Sequence, residues 1–326
     1  MKFSRLILLS LLIVSGWLAD RVEAREDGSV MMFAGQSREE FANYLFRVCV
    51  NGAECPVPAG AAFYTSLDAQ GFDSPHANAQ GDNHQDMWFL TQVADGLSVQ
   101  IGLWLGADQL AAIGAGQTRT KIDLLASKLG ALKRPIYLRV GYEFDGPHNN
   151  YQPELFIKAY IEIAKRMRQE SNVHLVWHSY AMLPTFQGQD ILAWYPGDEY
   201  VDWIGLSFFQ VTDEGFHTGP NRERVLEVAR QKNKPVMIGE ASAIRYTARQ
   251  KTLRGQAYWD YWYKPFFDLI ESHDEIKAAS IINVNWDSQR QHAILSWGDS
   301  QIDSDPIVLM NWRAKMREKY WDFSRD

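Results

Sequence analysis

The sequence predicts an α/β protein closed into a (β/α)8 barrel. Short apolar runs alternate with longer amphipathic segments, eight such pairs follow one another, and several of the runs end abruptly in ionisable or aromatic residues. Strand runs interleaved with helical segments imply a parallel sheet. Ionisable groups gathered at strand exits belong to a mouth, because in a parallel barrel the carboxyl ends of the strands carry the chemistry.

Val30-Met-Met-Phe-Ala34 is the first strand, and Ser37-Arg-Glu-Glu40 fits a capping box that opens a helix through Phe41, Leu45 and Val48. Gly60 to Tyr64 is the second strand, and after a polar loop from Asp68 to Asp82 the spacing of His84, Met87, Leu90 and Val93 predicts a helix. Leu97 to Trp104 is the third strand, followed by a helical region from Ala107 to Leu132 weakened at Gly114 and Gly116. Pro135 to Val140 is the fourth, and Pro153 to Gln169 its helix, with Phe156, Tyr160, Ile163 and Met167 on one stripe. Val173 to His178 is the fifth; the long connection from Ser179 to Glu199 holds only a short helix near Asp190 to Trp194. Val201 to Phe209 and the helix Arg222 to Gln231 come next, then the seventh strand, Val236 to Glu240, with an aromatic-rich helix from Gly255 to His273. Ile276 to Trp286 is the eighth strand and Pro306 to Tyr320 a closing helix.

The amino terminus has positive charge in Met1 to Arg5, an apolar run from Leu6 to Ala19, and small residues in Val22-Glu-Ala24. That is the pattern of a secretory signal cleaved after Ala24, and the apolar run is shorter than the roughly 20 residues of a membrane span. Residues 1–24 are therefore expected to be a leader and 25–326 one catalytic domain, secreted or periplasmic; removing 24 of 326 residues leaves 302, a length that suits one barrel. The net charge of −7 argues against nucleic acid or an anionic membrane as partner. Cys49 and Cys55 enclose Asn51-Gly52, and in an oxidising compartment a small disulfide loop is expected. The eight His residues show no paired metal-binding spacing, so no metal and no cofactor is expected.

On this barrel one mouth gathers Phe63 and Tyr64, Trp104, Arg139, Tyr142, Glu143, Asp145, Trp177, His178, Phe208 and Phe209, Glu240 and Trp286. Two carboxylates ringed by aromatics suit glycosidic bond cleavage: one group protonates the departing oxygen and the other stabilises or captures the oxocarbenium-like centre. Aromatic faces with polar rims suit sugar rings. This chemistry alone leaves open which glutamate has which role.

Arg139-Val-Gly-Tyr-Glu-Phe-Asp-Gly146 resembles the Arg-x-x-His-Glu-Met-Asn-Gly signature of glycoside hydrolase family 26, the endo-β-mannanase family of the retaining (β/α)8 clan. Tyr195-Pro-Gly-Asp-Glu-Tyr-Val-Asp-Trp-Ile-Gly205 matches that family's run before the sixth strand, and Lys234-Pro-Val-Met-Ile-Gly-Glu240 is similar to its seventh. The resemblance implies Glu143 as acid/base, Glu240 as nucleophile and Trp286 as the floor beneath the cleaved sugar, with Arg139 holding Glu240 ionised. Substrate contacts are expected from Arg139, Tyr142, Asp145, Trp104, Trp177, His178, Phe209 and Trp286, in a monomer, and the resemblance implies a polysaccharide or oligosaccharide substrate of mannan or related β-glycan type. Three positions depart: Tyr142 stands for the family's His, Asp145 for its Asn, and Phe209 for the sixth-strand Tyr that bonds the nucleophile. Tyr180 and Tyr246 are candidates to replace that last contact. The competing readings are a non-catalytic glycan-binding barrel, and an exopolysaccharide-processing enzyme or transglycosylase of the same chemistry.

Overall fold

Parallel pairing of Val30–Ala34 with Ile276–Ile281 joins the first strand to the last and closes a barrel. The computed structural model describes residues 29–323 apart from 75, 78–83, 92–95, 182–187, 210–219, 245–252 and 319; residues 1–24, expected as a leader, lie outside them. The eight strands are β1 (Val30–Ala34), β2 (Gly60–Ser66), β3 (Ser98–Trp104), β4 (Ile136–Val140), β5 (Val173–Ser179), β6 (Trp203–Phe208), β7 (Val236–Ala241) and β8 (Ile276–Ile281), each hydrogen-bonded to its sequence neighbours. Helices α1 (Arg38–Asn43), α2 (Leu110–Gly114), α3 (Arg119–Ala131), α4 (Pro153–Met167), α5 (Pro220–Lys232), α6 (Gly255–Tyr258), α7 (Lys264–Glu271), α8 (Arg290–Ile294) and α9 (Pro306–Met316) occupy the connections and the carboxyl terminus.

The strands are covered on both faces, which is why they are apolar runs and not clean alternations. Outward residues such as Leu138, Leu175, Leu206 and Ile238 pack with helix residues such as Phe156 and Val225 in one core. Inward residues Met31, Phe33, Tyr137, Val176, Trp203, Met237 and Ala278 form a separate apolar cluster. Further along the strands the interior turns polar: Ser280 Oγ donates to Gln100 Oε1 at 3.1 Å, and Gln100 Nε2 to the Gly239 carbonyl at 2.6 Å.

Local signals set the helix ends. Ser37 accepts from the Glu40 amide at the start of α1, as its capping box requires. Asp305 caps α9 ahead of Pro306. The helical region after β3 breaks into two pieces, with Gly116 in the left-handed conformation between them.

Two connections differ from expectation. No helix runs through His84 to Leu90: His84 lies in a two-residue strand paired with His76–Ala77, Met87–Thr91 is a 3-10 turn, and Val93 lies outside the described residues. Met87, Phe89 and Leu90 are all buried, so this apolar run fills one tight turn instead of striping a helix. β8 stops at Ile281, and Trp286 sits past it in a 3-10 turn.

Candidate active site

A β-bulge decides where Glu240 points. Gly205 pairs with Met237 and Leu206 with Ile238, but Ser207 pairs with Glu240, so Gly239 is an extra residue on β7. Strict alternation from inward Met237 sends residue 240 toward the helices; one inserted residue reverses the phase and re-aims the side chain. Glu240 thus faces the interior at the level of Ser207, one strand away.

Glu143 reaches the same place by a strained turn. β4 ends at Val140, Gly141 takes φ +54°, and Glu143 itself has φ +56°. A non-glycine residue there costs about 1–3 kcal/mol and persists where its surroundings fix it. Asn149 supplies the restraint, its Nδ2 donating to the Tyr142 and Glu143 carbonyls at 2.8 and 2.9 Å.

Both carboxyls are buried and differently held. Glu240 Oε1 accepts from Arg139 Nη1 at 2.6 Å and from the Tyr64 hydroxyl at 2.8 Å. The Arg139 guanidinium lies against the Tyr64 and Tyr142 rings, 5.3 and 5.0 Å from their centres. Glu143 Oε1 accepts from Ser207 Oγ at 2.6 Å, and Oε2 lies 2.9 Å from Nε2 of His148, whose side chain is 44% exposed. His178, fully buried, lies 3.0 Å from both Arg139 Nη1 and Ser207 Oγ.

Charge follows from these contacts. Burial pushes Glu240 up and Arg139 pulls it down, but the neighbouring charge of Glu143 adds to burial and the carboxyl lies above its usual range. Burial pushes Glu143 up as well; the hydrogen bond and charge of His148, with His178 and Ser207, outweigh it and hold Glu143 below its usual range. His148 is lowered by burial but raised more strongly by Glu143, and lies above its ordinary value. Were His148 parted from Glu143, the largest opposing influence on Glu143 would be gone and burial would raise it. Burial and the Arg139 charge push His178 down to about 3, so it is neutral.

Of the residues expected at the mouth, Arg139, Tyr142, Glu143, His178 and Glu240 come together. Trp104, 41% exposed, stands at the end of β3 on the rim. Trp286 and Phe209 join Ile244, Ile282 and Val284 in an apolar cluster beyond β6 to β8, with Tyr180 and Trp297 against it. Trp286 is held by its Nε1 bond to Ser242 Oγ at 2.9 Å and by the Trp297 ring, centroids 4.9 Å apart.

Several expectations need correction: Phe63 and Phe208, expected at the mouth, are buried in the core between strands and helices, Phe208 against Trp262 and Phe266. Trp177 does not face the mouth: it is fully buried in the helix layer, stacked on Phe144 at 4.5 Å and bonded to the Trp194 carbonyl. Adjacent strand residues face opposite ways, so Trp177 and His178 could not both point inward. Asp145 is enclosed, accepting from Ser179 Oγ at 2.7 Å and the Tyr180 amide at 2.5 Å, which ties the β4 loop to β5 instead of offering an acceptor to a ligand. The hydroxyl on Glu240 comes from Tyr64 on β2, not from Tyr180; Tyr246 lies outside the described residues. His148 and Ser207 were missed altogether. Ser207 shares a face with Trp203 and Gly205 by alternation, the one sequence signal that finds it.

The disulfide joins Cys49 and Cys55 beside α1, away from this site.

The model for Glycosyl hydrolase family 26 matches residues 120–281, from α3 through β8. A β-1,3-xylanase of Alcaligenes sp is 28% identical to the chain, covering 100% of it and 72% of the relative; β-1,3-xylanase TXYA of Vibrio sp is 27% identical over 97% and 71%. Among solved structures, the family 26 β-mannanase BoMan26A of Bacteroides ovatus superposes with a TM-score of 0.58 at 12% identity, covering 97% of this chain and 93% of that one. An endo-β-1,4-mannanase double mutant of Cellulomonas fimi gives 0.59 at 15%, covering 90% and 72%. At such identities the superpositions speak for the barrel alone. The family match across the strands that carry both glutamates, and relatives aligned along almost the whole chain, mark the protein as a glycoside hydrolase family 26-like (β/α)8 glycosidase.

Proposed function

We propose that the protein is an exported, endo-acting retaining β-glycanase whose substrate is β-1,3-linked xylan, with Glu240 as nucleophile and Glu143 as acid/base. The observation that carries this is the shared network: Ser207, which bonds Glu143, lies in register opposite Glu240 on the adjacent strand. Neighbouring strands are about 4.8 Å apart, so the residue that bonds one carboxyl stands beside the residue that carries the other.

Both hydrogen bonds to Glu240 fall on Oε1, leaving Oε2 to attack the anomeric carbon. Glu143 donates a proton to the glycosidic oxygen as the C–O bond breaks, and a glycosyl ester forms on Glu240. Glu143, now a carboxylate, takes a proton from water, which attacks the anomeric carbon and releases the sugar with its configuration retained. The sugar enters where His148 sits, and its arrival supplies the change in Glu143 from carboxylate to acid.

Xylan is favoured over mannan by the two β-1,3-xylanase relatives, whose alignments run along almost the whole chain. Tyr142, larger than the His of the family signature, fills space beside the acid and suits a pentose, which lacks the hydroxymethyl group on C5. Trp286 and Trp297 on one side and Trp104 on the other are assigned as sugar platforms. Residues 1–24 serve as the export leader.

Incubation with β-1,3-xylan, β-1,4-xylan and β-1,4-mannan, with product analysis and Glu143→Gln and Glu240→Gln as controls, tests this. Oligosaccharides from β-1,3-xylan that vanish in both variants are expected. Preferred cleavage of mannan would overturn the substrate, and equal rates in all three proteins would overturn the site.

A further inference from the structure

The two carboxylates are connected through the barrel interior by hydrogen bonds whose direction is fixed. Arg139 has donors only. Its Nη1 donates to Glu240 Oε1 and, at 3.0 Å, to His178 Nδ1, which must therefore be the unprotonated nitrogen. The neutral imidazole then carries its proton on Nε2, 3.0 Å from Ser207 Oγ. Ser207 accepts there and gives its own single proton to Glu143 Oε1 at 2.6 Å. Oε1 of Glu143 is thus always an acceptor, and a proton on this carboxyl resides on Oε2, the oxygen beside half-exposed His148.

The space for this chain is made by missing side chains. A Cβ at Gly205 would stand 2.9 Å from the His178 Cβ, and one at Gly239 2.9 Å from its Cε1 and 3.0 Å from the Arg139 Cδ. At Gly102 it would meet Tyr64 at 2.5 Å and Arg139 Nη2 at 3.0 Å. Three strands therefore give up side chains where His178 and Arg139 lie.

We propose that His178 and Ser207 are positioning residues: Ser207, oriented by His178, occupies Oε1 of Glu143 and confines its transferable proton to Oε2, the oxygen that would face the glycosidic bond. This rests on Glu143 being the acid/base. Both are fully buried and act through Glu143. Besides Ser207, Glu143 is faced by His148 from its own loop, His178 from β5, and the charges of Glu240 and Asp145.

The test compares Ser207→Ala with wild type on β-1,3-xylan and on a 2,4-dinitrophenyl β-xylobioside, whose leaving group needs no proton. The expected kcat/KM loss is roughly 10- to 100-fold on xylan and about threefold or less on the aryl glycoside. The basic limb of the pH profile moves upward, because removing a donor to the carboxylate favours its protonated form. Equal losses on both substrates with an unmoved basic limb would mean a merely structural serine and overturn the proposal. Nitrogen-15 NMR of wild-type histidines supplies a readout independent of how the variant folds: His178 is expected as the neutral Nε2–H tautomer from about pH 5 to 8, and an Nδ1–H or charged ring would overturn the relay. Glu143→Ala with azide separates the two levels. A β-glycosyl azide from the aryl glycoside supports Glu143 as acid/base; its absence removes that reading whatever Ser207→Ala does.

Discussion

Tyr64→Phe isolates the hydroxyl contact on Glu240. The variant removes one oxygen and keeps the ring that edges Tyr142, centroids 5.3 Å apart, so packing should persist. Tyr64 has one proton; it goes to Glu240 Oε1 at 2.8 Å, since Gln36 Oε1 at 3.5 Å is too distant to compete. A buried hydrogen bond to a charged acceptor is worth about 1.5–3 kcal/mol. Its loss, at about 1.36 kcal/mol per pKa unit, should raise Glu240 by about one to two units and move the acidic limb of kcat/KM upward by that amount. Arg139 at 2.6 Å remains to hold the carboxylate, so activity at the pH optimum should fall by only about tenfold. The assay is kcat/KM on β-1,3-xylan from about pH 4 to 9, with thermal unfolding as a packing control. An unmoved acidic limb and a wild-type optimum would refute the role given to Tyr64.

Three further outcomes follow from other contacts. His148→Ala removes the donor and positive charge that hold Glu143 down, so in the free enzyme Glu143 should titrate at higher pH and the basic limb of kcat/KM should move up; no movement would show that His148 does not govern it. Asp145 is pushed by burial from 3.8 up to about 6, so its contribution to folding is fullest below about pH 4 and is lost as pH rises through 6. A shift of about two units makes the stability difference between wild type and Asp145→Asn change by about 3 kcal/mol between pH 4 and 8, in favour of the variant at high pH; a constant difference in denaturant titrations would contradict it. Gly239→Ala crowds His178 and Arg139 at the bulge and should cost about 1–3 kcal/mol of stability and most of the activity, whereas a wild-type melting temperature and kcat would show that the slot is loose.

The barrel was legible because strand runs and their order survive in sequence: continuous burial on both faces leaves apolar runs that need no register to be recognised. Glu143 and Glu240 were legible as acids at strand exits. What brings them together was not. The Gly239 bulge leaves no local pattern, and without it Glu240 would be counted with the outward residues. Trp177 and His178 both look like mouth residues because the run Val173 to His178 ends there, although alternation lets only one of them face inward. Tyr64 is legible as a mouth residue, but its bond to Glu240 spans 176 residues of chain and joins strands three places apart around the barrel. Ser207 and His148 are small or loop-borne groups in unremarkable surroundings, recognisable only once the fold sets them beside Glu143.

The most direct measurement is the site of covalent labelling by a 2-deoxy-2-fluoro-β-xylobiosyl fluoride, found by peptide mass spectrometry. A single fluoroglycosyl ester on Glu240, formed stoichiometrically with loss of activity, is the expected result. Labelling at Glu143, or inhibition with no adduct on either glutamate, would contradict the assignment of Glu240 as nucleophile.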